Sequence, residues 1–243
     1  MQTTLVKSYR FFLFSLLVIL GIGAERVGLV AYLSDPWEQA YVLYLIQQHL
    51  FLVTVSMAMA ICTGLAAGIL VSRKGLQKYS GIVMYVIGLG QTIPSLAVLA
   101  LTMSFLGIGS KPAIFALFVY STLPIARNTL AGLLAVSPAI IDAARGMGMS
   151  PARILWQVEL PNALQVILTG IRVAVVINIG TAALGYLIGA GGLGDLIFTG
   201  INLMQPDKLL AGALPVIILA LLADYLIEVF GRIVIPKGIQ LSE

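Results

Sequence analysis

Residues 189–194, GAGGLG, carry glycines at 189, 191 and 194 in the spacing of a dinucleotide-binding turn. That chemistry requires a strand before the turn, a helix after it and an acid about twenty residues on for the ribose. Here a long apolar run precedes the glycines, which excludes nucleotide binding. Asp224, Glu228 and Arg232 recur every fourth residue and so share one helical face, as a proton relay or as ion pairs. They lie toward the end of an apolar run, where long side chains reach water, and this favours ion pairing. Cys62 is the single cysteine and His49 the single histidine, so neither a disulfide nor a cysteine or histidine metal cage can form. Cys62 is expected to be a small buried side chain, and His49 a polar residue at a membrane interface. No phosphate-binding G-x-x-x-x-G-K-[ST] loop and no nucleophile with a matching base is present, so no covalent chemistry is expected of this chain.

The elements that must position these residues follow from composition. The 243 residues are 60% hydrophobic and 10% charged, with a mean hydropathy of +1.04. Soluble domains carry about 25% charged residues. A bilayer core about 30 Å thick is crossed by roughly 20 helical residues. Inside lipid every backbone N–H and C=O must be satisfied within its own segment, so such runs form helices. The fold class is therefore an all-α polytopic membrane protein.

Six spans are expected, near 11–31, 50–72, 81–106, 112–134, 163–188 and 209–234. The first follows Lys7 and Arg10 like a signal peptide but reads on through Glu25-Arg26 without a small-x-small cleavage site, as an uncleaved anchor. An even number of spans puts both termini on one side. With cytoplasmic termini, Lys7, Arg10, Arg73, Lys74, Lys78, Arg127, Arg145, Arg153, Arg172, Arg232 and Lys237 fall at the inner face, leaving Arg26, Lys111 and Lys208 outside. The positive-inside rule selects that orientation. It also accounts for the net charge of +4 without any nucleic-acid partner. The chain then divides into an N-terminal anchor with an outer segment (1–48), a transmembrane domain (49–235) and a short cytoplasmic tail (236–243).

Between the fourth and fifth spans, on the cytoplasmic side, stands a polar block, DAARGMGMSPARILWQVELP at 142–161. Ser137-Pro138-Ala139 and Ser150-Pro151-Ala152 each read as a helix start, with serine capping and proline at the first helical position. Gly146-Met147-Gly148 supplies the turn between them. Ile140, Ala144, Met147, Ile154, Leu155 and Val158 form one oily face, and Asp142, Arg145, Arg153, Gln157 and Glu159 hold most of the other. Such an element either floats at the lipid interface or docks in a groove of a soluble partner.

Few polar residues interrupt the spans: Gln91 and Thr92 before Pro94, Arg127 and Asn128 after Pro124, and Asn178 and Thr181 in the fifth span. They either join neighbouring helices or line a wet path. Pro94 is expected to kink the third span and Pro215 the sixth.

The block resembles the "EAA" loop in the permease subunits of binding-protein-dependent ABC importers, Glu-Ala-Ala, three residues, Gly, nine residues, Ile-x-Leu-Pro. Here Asp142-Ala143-Ala144 is followed after three residues by Gly148, and after nine more by Val158-Glu159-Leu160-Pro161. Asp replaces Glu and Val replaces Ile. GAGGLGDLI likewise resembles the glycine-rich stretch of these permeases, where Gly189, Gly191, Gly192 and Gly194 imply close packing or a bend at the outer gate. Asp195 beside them is either a contact for a binding protein or a solvated acid. The resemblance implies a type I permease fold in a bacterial inner membrane. It also implies a coupling loop at about 137–161 seated on a cytoplasmic ATPase, an extracytoplasmic binding protein, and a second permease copy, identical or related. No cofactor is implied on this chain, since ATP and Mg belong to the ATPase. QTIPSLAVLAL, LPIARNT and DAARGMGMS look most like the osmoprotectant branch (glycine betaine, choline, carnitine, proline). Methionine-like amino-acid import is the alternative within the family, and a secondary transporter is the alternative outside it. No cluster of Trp or Tyr able to form a cage for a quaternary ammonium is visible in the sequence.

Overall fold

The computed structural model describes residue 23 and residues 25–235. Most of the expected first span and the tail at 236–243 lie outside the described residues. A short helix, α1 (Leu29–Ser34), leads into α2 (Pro36–Ser72). The start of α2 is fixed locally: Pro36 occupies the first turn, and the Asp35 carboxylate accepts from the Trp37 N–H at 2.8 Å. Hydropathy alone placed this span at 50–72, but the helix extends N-terminally through Gln47, Gln48 and His49 to Pro36, and their polarity disguised it.

The expected single span over 81–106 is two helices, α3 (Ser80–Thr92) and α4 (Ser95–Leu106), bent by 95°. Ile93, which precedes proline, is extended (φ −79°, ψ 133°), as the clash with the proline ring demands. Pro94 therefore breaks the segment instead of kinking it. Each arm is about 20 Å long, too short to cross a bilayer alone. Pro124 and Pro215, by contrast, lie inside helices that continue past them, α5 (Ser110–Leu134) and a later helix that contains Pro215.

After α5 come α6 (Pro138–Gly146), α7 (Pro151–Ile154), a π-helical turn (Leu155–Glu159) and α8 (Leu160–Ala182), which tightens into a 3-10 turn at Ala183–Ile188. Helices α9 (Gly194–Asn202) and α10 (Pro206–Val234) complete the described chain. Four helical stretches are long and apolar enough to span a membrane, with the bent α3–α4 pair as a fifth.

Helix α5 is the centre of the bundle, with α2 on one side and α8 on the other. Small residues permit this approach. A β-carbon on Gly68 would lie 2.6 Å from the Thr129 Cβ, and one on Gly170 would lie 2.8 Å from the Pro124 carbonyl. Leu52, Met57, Leu117, Ile125, Ala174 and Ile179 fill the space between the three helices. Leu221, Leu226, Phe230 and Ile233 on α10 stay exposed, as the wall of a bilayer-embedded bundle requires.

Two single-residue expectations change. Cys62 is exposed on α2, not buried. His49 is fully buried, not interfacial, with its Nε2 3.0 Å from the Ile179 carbonyl.

Candidate functional site

At one end of the bundle α6 closes in a turn that glycine suits best. Gly148 has φ +76°; its N–H donates to Arg145 O at 2.9 Å, and the Met149 N–H donates back to Ala144 O at 3.2 Å. This is the paired bonding of a Schellman cap, with the glycine at the left-handed position. Ser150 then caps α7, its Oγ accepting from the Arg153 N–H at 3.4 Å. Ser137 precedes α6 with no side-chain bond to its N-terminus.

The π turn at Leu155–Glu159 has its cause in Leu160-Pro161. Pro161 brings no N–H to the preceding turn, and its ring crowds that turn; widening to π geometry relieves the crowding. Asn162 Nδ2 donates to the Val158 carbonyl at 2.7 Å within this irregular turn. The π turn joins α7 to α8 without interruption, so Pro151–Ile188 is one 38-residue helical rod. The second half of the block, from Pro151, and the fifth span are thereby one helical element, with α6 standing before it across the Gly148 turn.

The oily face read from the sequence is divided. Ala144 and Ile154 are buried, whereas Ile140, Met147 and Trp156 stand exposed beside Ala143 and Gly148. Glu159, read as part of the polar face, is buried as well, and its carboxylate meets Arg73 at 2.5 Å. This pair ties the block to the end of α2. Asp142 is exposed and pairs with Arg145 at 2.9 Å. Between the block and α2 lies a cleft of about 700 Å3, lined by Arg73, Lys74, Asp142, Arg145, Met149 and Glu159 among others.

At the far end, Gly189, Gly191 and Gly192 all have positive φ (74°, 74° and 83°). The Gly192 N–H donates to Gln48 Oε1 at 3.1 Å, and a β-carbon on Gly191 would lie 2.3 Å from that same oxygen. Beside it, near the C-terminal end of α8, the Ile179 carbonyl accepts from His49 Nε2–H of α2 at 3.0 Å. The glycine loop is thus both a bend and a close contact on α2.

The polar residues within the spans do not converge on one site. Asn178 is buried among three helices: Nδ2 donates to Ser121 Oγ at 2.8 Å and to Ser56 Oγ at 3.0 Å, and joins α2, α5 and α8. Gln91 Nε2 donates to the Tyr120 carbonyl at 2.7 Å, which holds the α3–α4 elbow against α5, while Thr92 bonds back to Leu89 O. Thr181 bonds to Ile177 O within α8. The ion pairing read along α10 is present, Arg232 bonding Glu228 at 2.5 Å, but sequence reading missed a second cation, Arg172 of α8. Arg172 Nε and one terminal nitrogen grip Asp224 at 2.7 Å each, and that terminal nitrogen reaches Glu228 at 3.0 Å. The signal was available, since a charge within a span must find a countercharge.

A bundle of membrane-length helices, with a polar helical block at one end and a glycine-rich turn at the other, is the architecture of a membrane transport subunit. The family described as "Binding-protein-dependent transport system inner membrane component" matches residues 60–236, and the chain belongs to it. It is a multi-pass inner-membrane permease. Among its relatives, the osmoprotectant import permease protein OsmY of Salmonella typhimurium is 45% identical over 98% of this chain and 100% of that protein. The carnitine transport permease protein OpuCB of Listeria monocytogenes is 44% identical over 79% of this chain and 88% of that protein. Among solved structures, an inward-facing MetNI methionine ABC transporter chain matches with a TM-score of 0.72 and 25% identity, covering 85% of this chain and 100% of that one.

Proposed function

We propose that this chain is the permease subunit of an ATP-driven importer for a quaternary ammonium osmoprotectant such as glycine betaine, choline or carnitine. The observation that carries the reading is the 137–161 block. It exposes Met147, Trp156 and the Gly148 turn to a partner, and from Pro151 onward it is continuous with α8. A partner that moves the exposed turn moves the fifth span with it.

In this reading both termini and the block face the cytoplasm. Asp142, Ala143, Ala144 and Gly148 meet the ATPase, and Val158, Leu160 and Pro161 set the π joint that passes its motion on. ATP and Mg are bound and used by the ATPase, and this chain holds no cofactor. A binding protein delivers solute at the outer face, and a second permease, identical or related, completes the pathway. Gly189, Gly191, Gly192 and Gly194 shape the outer gate, while Gln91, Thr92 and Pro94 set the elbow beside the path. Asn178 and Thr181 belong to the span that moves.

The substrate class follows from relatives of 44–45% identity named for osmoprotectant and carnitine transport, against 25% for the methionine transporter. The test is uptake of labelled glycine betaine by the reconstituted complex in competition with choline, proline and methionine. Inhibition by choline and not by methionine is expected; inhibition by methionine alone overturns the substrate class.

A further inference from the structure

Helix α2 is gripped near one end by the 137–161 block and farther along by the glycine loop. At the block end Arg73 follows its last residue, and the guanidinium uses all three of its nitrogens. Nε donates to the Ile69 carbonyl at 3.3 Å and to Ser72 Oγ at 3.0 Å, and Nη2 donates to Ser72 Oγ at 2.8 Å. These bonds fix the side chain on the last turn of α2, where the helix carbonyls also favour a cation. Nη1 meets the Glu159 carboxylate at 2.5 Å. Glu159 is 8% exposed and ends the π turn between α7 and α8. Arg73 therefore brackets the end of α2 to the block.

At the loop, Gln48 Oε1 accepts from the Gly192 N–H, and Gln48 Nε2 donates to the Tyr44 hydroxyl one turn earlier on α2 at 2.7 Å. His49 adds its bond to the Ile179 carbonyl. A β-carbon on Gly192 would lie 3.3 Å from His49 Nδ1, so the loop is seated on α2 without slack. Between Gln48 and Arg73 the helix is unbroken and holds no proline; it covers roughly 37 Å at 1.5 Å per residue. Its half nearer the block lies close on α5, where a β-carbon on Gly64 would stand 2.9 Å from the Ile125 Cβ. A helix packed this tightly passes a displacement along its length instead of absorbing it.

We propose that α2 is a second transmission element, carrying motion of the block from the Glu159–Arg73 pair to the glycine loop at Gln48 and His49. The first element, the helical rod from Pro151 to Ile188, reaches that loop along the chain itself. The two routes start side by side, because Glu159 directly precedes α8. They meet again near the glycine loop, where His49 holds the Ile179 carbonyl of α8. A loop held from both helices bends only when both move, and this ties its shape to the state of the ATPase. Arg73 and Glu159 are positioning residues in this role, acting through Gln48 and Gly192. The inference rests on the coupling reading of the block for the source of the motion, but not for the contacts that carry it.

The test is a double-mutant cycle on the complete complex in proteoliposomes. Its readout is the factor by which binding protein loaded with glycine betaine raises ATP hydrolysis. At the block end, Arg73→Gln combined with Glu159→Gln removes both charges, so none is left buried and unpaired. At the loop end, Gln48→Met keeps the length of the side chain and removes the acceptor for Gly192. Each change should lower the stimulation factor about threefold, with ATPase co-purification unchanged. Independent sites more than about 10 Å apart act additively in free energy, so their factors multiply. The two ends of one transmission element do not, and the combined variant should lose no more than about threefold. Arg73→Lys, which keeps a charge for Glu159 but not the fork onto Ser72, is a second block-end variant; its loss also should not multiply with that of Gln48→Met. Wild-type stimulation in the single-end variants, or a loss of about ninefold in the combined one, overturns the inference, because contacts of purely local importance act independently. Gly148→Asp in the same assay tests the reading beneath it. Stimulation that survives that change overturns the coupling role of the block and this inference with it, whereas its loss beside unaffected α2 variants overturns this inference alone.

Discussion

Gly194→Ala is expected to remove the folded permease from the membrane. A β-carbon at this position would lie 1.8 Å from the Ala183 carbonyl oxygen and 2.7 Å from its carbon. Both are backbone atoms, so no side chain can turn aside. Helix α9 would have to withdraw from the 3-10 turn, but its other contacts are as close. A β-carbon on Gly200 would meet Leu209 N at 2.4 Å, and one on Gly212 of α10 would meet the Leu193 carbonyl at 2.9 Å. Overpacking a core costs about 1–3 kcal/mol even where side chains can adjust, and whole domains are stable by only about 5–15 kcal/mol. The measurement is the amount of detergent-extractable, monodisperse protein and its thermal midpoint, with Gly180→Ala as control. No atom lies within 4 Å of a β-carbon built on Gly180, so the control should stay within about 0.5 kcal/mol of wild type. Normal accumulation of Gly194→Ala would show that α9 does not pack as described.

Gly148→Asp should have the opposite profile, normal accumulation with uptake abolished. The left-handed φ of +76° costs an aspartate only about 1–2 kcal/mol, and the added Cβ meets nothing within 4 Å of this chain. The isolated permease therefore folds. The harm comes from the new charge on the exposed turn that the ATPase is proposed to cover. An unpaired charge buried at such a contact costs about 3–5 kcal/mol, enough to lower complex formation at least about 100-fold. Membrane insertion, ATPase co-purification and uptake are measured together. Wild-type uptake with the ATPase still bound would contradict the coupling role of this turn.

The parts legible in the sequence were those governed by local rules. The apolar runs of α5, α8 and α10 announced themselves by length, and Pro138, Pro151 and Ser150 marked helix starts that the structure reproduces. Gly148 was recognised as a turn residue because its conformation depends on its own missing side chain. What failed depended on distant partners. Gln48 and His49 hid the N-terminal part of α2, because only the glycine loop and the Ile179 carbonyl, far along the chain, make their polarity tolerable there. Glu159 was read as solvated, since nothing local shows Arg73 waiting at the end of another helix. Pro94 was expected to kink a span, and the extended Ile93 before it turned the kink into a break. The Tyr186–Phe198 ring stack was invisible because the two rings come from separate segments.

The central claim is that work done on ATP elsewhere enters this chain through the 137–161 block. The most direct measurement is solute uptake into proteoliposomes that hold the permease with its ATPase, with binding protein added outside. Uptake of glycine betaine that requires internal ATP, requires the binding protein and persists when ionophores collapse all ion gradients is the predicted result. Uptake by the permease alone, driven by an ion gradient and indifferent to ATP, would contradict the account.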